Sequence, residues 1–127
     1  MEEVQAFEEK HAVTFPPDLR EYFLRLNGVS EDPDLFCFWP INRLVSARSK
    51  PLNLVTSVAK LPEADRYFVF ADYLIESHYY AIYLGNNPAL HHWVILPDFP
   101  NHPMVAPSFS SFLELYLQDN PRIYGNA

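Results

Sequence analysis

Near the N-terminus, apolar positions repeat at the spacing of an α-helix. In VTFPPDLREYFLRLNG, four large apolar residues occur at i, i+3, i+4 and i+7, which places them on one stripe of a helix. The stripe consists of Leu19, Tyr22, Phe23 and Leu26. Pro17 suits a first helical turn, where its missing N–H would have had no partner, and Gly28 is a typical residue after a helix end. The pattern predicts a helix from Pro17 to Asn27, and a similar stripe predicts an earlier helix over residues 2–11.

After Gly28 the period changes to short apolar and aromatic runs that are typical of β-strands. The runs are LFCFW (35–39), YFVFAD (67–72), HYYAIYLG (78–85) and HHWVILP (91–97). Short links between the last three predict an antiparallel meander. Within residues 41–66, INRLV fits a short strand, whereas LNLVTSVAKL fits either a helix or a surface loop.

The C-terminal third predicts a break and then a closing helix. We expect the proline-rich DFPNHPMVAP to interrupt regular structure, and SFSSFLELYLQDN to form a helix with Ser108 as its N-cap. A capping box of Ser111 and Glu114 is the alternative start. The order of elements predicts a single α+β domain over residues 1–127, with N-terminal helices, a central mainly antiparallel sheet and a C-terminal helix packed on it.

Charge is distributed unevenly along the chain and favours a basic protein partner. The formal net charge is −7. Residues 1–34 contain nine acidic and three basic residues (net −6), whereas residues 41–66 contain five basic and two acidic residues (net +3). Direct nucleic-acid binding is disfavoured, because a stacking surface needs flanking Lys or Arg and residues 67–100 contain none.

Localisation is expected to be cytoplasmic. No apolar run approaches the roughly 18 residues of a membrane span, and the N-terminal MEEVQAFEEK is acidic where a secretory signal would be basic and then apolar. The lone Cys37 has no internal disulfide partner, which agrees with a reducing compartment.

Candidate catalytic and metal-binding residues are present but poorly arranged. Cys37 lies in an aromatic run, where a cysteine usually behaves as a small buried apolar residue. His91 and His92 are adjacent in a predicted strand, so they point to opposite faces and do not easily share a metal ion with Asp98 or His102. These features argue against an enzyme, a metal site or a cofactor, although a metal-binding or hydrolytic protein using His91, His92 or Cys37 remains an alternative.

Acidic residues provide the more coherent candidate site. Carboxylates steer the approach of a basic partner, and exposed aromatic side chains supply contact area. We therefore predict that a group of acidic residues contributes to partner recognition. The group consists of Glu31, Asp32, Asp34, Asp72, Glu76 and Asp98.

The order of motifs resembles the SUKH superfamily, which includes the Smi/Knr-type regulators of cell-wall assembly. The resemblance covers about residues 2–118 and rests on PPDLREYFLRLNG, an aromatic strand ending in WPI, YFVFAD, YYAIYLG and VAPSFSSFLELYL. This chain departs from the family in having Phe15-Pro16 where Leu-Pro is frequent, and YLIES where a glycine-containing turn is frequent.

The resemblance implies an α+β fold without catalytic residues. For a small single-domain member it implies an immunity protein that binds and neutralises a cognate bacterial toxin, often a nuclease. The alternative that it implies is an intracellular regulatory or scaffold module.

Overall fold

The computed structural model describes residues 2–26, 36–48, 61–73, 78–86, 92–97 and 102–118. Two predictions about secondary structure lie outside these residues, as do most of the predicted site residues. They are the role of Gly28 after the second helix, and the choice between helix and loop for most of LNLVTSVAKL.

The three predicted helices are all present. They are α1 (Glu2–His11), α2 (Pro17–Arg25) and α3 (Phe109–Leu117). Ser108 is the N-cap of α3, since its Oγ accepts a hydrogen bond from the Ser111 N–H at 3.1 Å, which confirms Ser108 over the alternative start. Within the described residues, no helix has both the length and the apolar character needed to cross a membrane.

The strands form one antiparallel sheet of six strands in the described residues. They are β1 (Phe36–Phe38), β2 (Val45–Ser46), β3 (Tyr67–Tyr73), β4 (His78–Tyr83), β5 (Val94–Ile95) and β6 (Met104–Ala106). The order across the sheet is β1-β3-β4-β5-β6, and β2 also pairs with β3. Because β1 pairs with the second half of β3 and β2 with the first half, both lie along the same edge of β3. The predicted meander is confirmed as β3-β4-β5, and β6 extends it.

Three sequence predictions about strands need correction. The segment DFPNHPMVAP does not lack regular structure throughout, because Met104–Ala106 forms β6 and pairs with β5. Prolines flank this strand at its two ends, and β6 lies at the end of the sheet, where proline is tolerated. The predicted strand 91–97 is only two residues long in the sheet, and INRLV is mainly the 3₁₀ turn Ile41–Arg43 followed by β2.

The helices cover one face of the sheet and bury an aromatic core. Phe68 of β3 packs edge-on against Phe7 of α1, with ring centroids 5.3 Å apart. Phe70 packs in the same way against Phe112 of α3, also at 5.3 Å. Every residue of β3 except Tyr73 is buried, so the central strand is covered on both faces. The abundance of aromatic residues in the sequence is therefore explained largely by the core.

A partly buried ion pair joins α1 to α2. The carboxylate of Glu8 accepts hydrogen bonds from the Phe15 N–H at 2.7 Å and from Arg20 Nη2 at 2.6 Å. Only 14% of the Glu8 side chain is exposed. Glu8 therefore lies in the contact between the two helices and not on a solvated helix face, because its carboxylate accepts hydrogen bonds from both sides of that contact.

A second carboxylate joins the N-terminal ends of α2 and α3. Asp18 Oδ2 accepts hydrogen bonds from both the N–H and the Oγ of Ser110, each at 2.9 Å. The first N–H groups of a helix have no partner within the helix, so Asp18 of one helix partly caps the other. This contact places α2 and α3 side by side and running in the same direction.

Candidate functional site

Most of the acidic residues predicted to bind a partner lie outside the described residues. They are Glu31, Asp32, Asp34, Glu76 and Asp98. The sixth, Asp72, is on β3 and is only 3% exposed. Its carboxylate is therefore not displayed on the surface, and any influence on a partner passes through the residues around it.

Asp72 belongs to a polar cluster with Trp39 and Arg43. Its Oδ2 accepts a hydrogen bond of 2.6 Å from the indole Nε1 of Trp39, which is itself buried. Arg43 Nη2 lies 4.0 Å from the same oxygen. A buried carboxylate is costly without hydrogen bonds and a compensating charge, and these two side chains provide both.

Arg43 is held at the margin of this cluster. Its guanidinium carbon lies 3.9 Å from the centre of the Trp39 ring, a cation–π contact, and its Nη1 lies 3.7 Å from Cys37 Sγ. The Arg43 side chain is 42% exposed, so part of the guanidinium reaches solvent. Cys37 is half-buried and beside a cation, which corrects the expectation of a purely apolar environment.

Of the large apolar side chains that are exposed among the described residues, Leu26 and Leu117 lie together between α2 and α3. There a groove with a volume of about 200 Å³ opens to solvent. Its lining residues are Tyr22, Leu26, Phe38, Leu113, Tyr116 and Leu117. Leu26 is 61% exposed and Leu117 is 79% exposed, so the two leucines form a rim at the C-terminal ends of the helices.

The groove lies towards the C-terminal ends of α2 and α3, where Leu26 and Leu117 line it. Towards the N-terminal ends, Tyr22 packs on Phe109 with ring centroids 5.0 Å apart, and the interior is closed. Phe38 of β1 forms the floor, with Tyr116 5.1 Å away. The expectation that Leu26 docks α2 with the rest of its stripe is therefore wrong: Leu19, Tyr22 and Phe23 are buried, but Leu26 is not.

The charges along the chain near the groove are predominantly acidic. The sequence has no Lys or Arg between Arg25 and Arg43, or between Arg66 and Arg122, and five of the six lining residues come from these two stretches. Arg25 is ion-paired with Glu21, with Nε and Oε1 2.6 Å apart. The three acidic residues predicted to steer a partner, at positions 31, 32 and 34, fall between the lining residues at 26 and 38 in the sequence.

The histidines and the cysteine are not grouped into a metal site in the described part of the chain. There, no three His, Cys, Asp or Glu side chains are arranged to hold a metal ion. His92 lies in a turn rather than in the predicted strand, and its Nδ1 is 3.0 Å from the Tyr83 carbonyl oxygen. His91 and Asp98 lie outside the described residues.

Among the described residues, His11 and Tyr67 have shifted pKa values, and neither lines the groove. Burial, with a smaller contribution from Lys10, lowers the pKa of His11 below its usual 6.5. The His11 ring lies against Phe7 and Phe68, at 4.3 Å and 5.2 Å between ring centroids. Burial also raises the pKa of Tyr67, with help from Tyr83 and a nearby carboxylate. Neither shift supplies acid–base chemistry at the groove.

Sequence reasoning did not select the rim leucines or Arg43 as candidate functional residues. The signal for Leu26 is its place at the end of a helical stripe just before Asn-Gly, but periodicity does not show which end of a stripe lacks a covering element. Arg43 follows an aromatic strand, and only the fold shows that it stacks on Trp39.

The chain matches a known protein family over most of its length. The model of the SMI1 / KNR4 family (SUKH-1) matches residues 1–115. No curated protein matches the chain, and no solved structure does so either.

Proposed function

Because the chain belongs to the SMI1 / KNR4 family (SUKH-1), we propose that it is a non-enzymatic protein-binding domain that neutralises a cognate bacterial toxin by direct binding. Such a protein acts as an immunity protein. Its partner in this proposal is a basic toxin domain, often a nuclease, and the complex forms in the cytoplasm without a cofactor.

The apolar groove between α2 and α3 is the observation that carries the proposal. A leucine that is 79% exposed beside one that is 61% exposed, both at the edge of a concave apolar surface, is a typical feature of protein interaction sites. Groups of buried apolar anchors supply most of the binding energy in such interfaces. The groove therefore offers contact area, whereas the remainder of the molecule offers charge.

The net charge of −7 supports a basic partner. Nucleases that bind a polyanion carry positive surfaces, and opposite net charges accelerate encounter between two proteins. The acidic residues at 31, 32 and 34 contribute to this steering in our proposal. Binding by a negatively charged protein then blocks the surface that the toxin needs for its substrate.

The direct test is neutralisation in a bacterial host. Each toxin domain encoded beside the gene is induced with and without this chain, and growth is followed together with co-purification of the two proteins. We expect restored growth and a stable complex with one of the toxins. Binding to a neighbour that is not toxic would favour the regulatory or scaffold alternative, and absence of both rescue and binding would contradict the proposal.

The electrostatic part has its own test. Reversing the three carboxylates at 31, 32 and 34 to Lys should slow association with the toxin at low salt, with a smaller effect at high salt because the field is screened. Circular dichroism checks that the variant folds. Reversing Glu3 and Glu9, which are exposed on α1, shows how much of the effect is due to net charge alone. An unchanged on-rate at low salt would count against the three residues.

A further inference from the structure

We infer that the groove between α2 and α3 receives one large apolar side chain, aromatic or leucine, from a Lys- and Arg-rich segment of the partner. The inference rests on the proposed function and deepens it, since it assigns the contact surface and the chemistry of the segment that occupies it. The argument uses the size of the groove, the exposure of its rim and the charge around it.

The size of the groove fits one anchor side chain. Its volume is about 200 Å³, and an apolar cavity of about 150 Å³ in a protein core is enough to hold benzene. The floor is aromatic, with Phe38 and Tyr116 in edge-to-face contact at 5.1 Å. Edge-to-face packing of a third ring on such a floor is favourable. A single Trp, Phe or Leu side chain therefore fills the space.

The exposure of the rim shows that the groove lacks a cover among the described residues. Leu26 and Leu117 line the opening of the groove. Leu24, two residues before Leu26, is 45% exposed but does not line the groove. Single exposed leucines such as Leu24 are ordinary on protein surfaces. Leu26 and Leu117, by contrast, lie together at the mouth of one apolar groove and provide apolar surface area that an incoming side chain buries.

The charge near the groove selects a basic segment. On α3 the only charged residue is Glu114, and the nearest basic residue on α2, Arg25, is already paired with Glu21. The sequence that leads from Leu26 to β1 contains three acidic residues and no basic one. With Glu114 on α3 and a net charge of −7, the protein attracts flanking Lys or Arg side chains of a partner, whereas acidic flanks would be repelled.

Short synthetic peptides test the inference with the full chain. The probe is a fluorescently labelled peptide with one Trp between two pairs of Lys, and the comparison peptides replace Trp by Ala or all Lys by Glu. Affinity is measured by fluorescence anisotropy at low and at physiological salt. We expect the Trp/Lys peptide to bind at least tenfold more tightly than either comparison peptide, because burial of the ring and the opposite charges both contribute.

A matched pair of variants locates the binding. Leu117→Lys places a cation at the rim of the groove, and Leu24→Lys places the same charge on an exposed leucine outside it. We expect Leu117→Lys to weaken Trp/Lys peptide binding at least tenfold and Leu24→Lys to change it by less than threefold. Both side chains are exposed, so unfolding midpoints of the two variants should match that of the unaltered protein.

Several results would overturn the inference. Equal affinity for the Trp and Ala peptides would show binding by charge alone, and absence of binding would show that the groove does not receive such a segment. A concentration-dependent dimer that Leu117→Lys dissociates and Leu24→Lys preserves would show that a second copy of the chain occupies the groove.

The failure of this inference and of the proposed function are distinguishable. If Leu117→Lys still binds and neutralises the toxin as well as Leu24→Lys does, the groove is not the contact surface, although the toxin-binding function stands. If no toxin is neutralised but the peptide binds through Leu117, the groove retains its assigned chemistry and the immunity role is lost.

Discussion

Replacing Trp39 by Phe removes the indole N–H that donates to the buried carboxylate of Asp72 at 2.6 Å. A hydrogen bond to a charged acceptor contributes about 1.5–3 kcal/mol, and the loss leaves a carboxylate that is 3% exposed with one donor fewer. We expect Trp39→Phe to lower the free energy of unfolding by about 2–3 kcal/mol. For a domain of this size the thermal midpoint then falls by roughly 6–12 °C.

Urea denaturation followed by circular dichroism measures the change, and an unchanged slope shows that the denatured state is the same. A double-mutant cycle with Asp72→Ala separates the hydrogen bond from the lost ring volume. We expect a coupling energy of about 1.5 kcal/mol or more, since the two side chains are in direct contact. Additive effects, within about 0.5 kcal/mol, would refute the assignment of Asp72 as a structural acceptor.

A further variant, Asp72→Asn, decides between two roles for Asp72. If Asp72 contacts a partner directly, Asp72→Asn would slow association with the proposed toxin and leave the unfolding free energy unchanged. If Asp72 instead supports Trp39 and Arg43, Asp72→Asn would lower the unfolding free energy and would affect association only through this loss of stability. The burial of the side chain favours the second result.

Three further changes have defined outcomes. The pKa of His11 is lowered by burial, so the unfolded chain binds the proton more tightly than the folded domain does. The domain should therefore lose stability as the pH falls through 6.5 towards the folded pKa. Urea midpoints at pH 8 and pH 5.5 should differ less for His11→Phe than for the unaltered protein. Asp18→Ala removes both acceptor contacts to Ser110 and should cost about 1 kcal/mol in urea denaturation, whereas Asp18→Asn should cost less. Gly85→Ala would place a methyl group 2.6 Å from Cζ of Tyr83, whose ring is buried and whose hydroxyl donates a hydrogen bond to Glu63. The substitution should lower the unfolding free energy by about 1–3 kcal/mol. An unchanged unfolding free energy would show that the ring moves freely.

Elements fixed by local chemistry were predictable from the sequence. Pro17 begins α2 and Ser108 caps α3, because the signals for a helix start lie within a few residues of each other. Strand β6 was not predicted, because the local signals around it argue against a strand. Its flanking prolines are strong local signals against a strand, and only its position at the end of the sheet makes them acceptable.

The candidate site depends on contacts between distant parts of the chain, which local patterns do not reveal. Asp72 and its donor Trp39 are 33 residues apart, and Asp18 and Ser110 are 92 residues apart. Asp72 has the composition of a surface residue, but the fold places it in the interior. In the same way Leu26 has the spacing of a core residue, but it is 61% exposed at the rim of the groove.

Stability and the proposed recognition of a partner depend on different residues in this domain. The N-terminal ends of α2 and α3 are held by Asp18 and by rings such as Phe112, whose truncation to Ala would cost about 3–5 kcal/mol. The rim at the C-terminal ends is so exposed that substitutions there change stability by only about 0.5 kcal/mol or less. The rim can therefore vary in sequence while the fold is maintained.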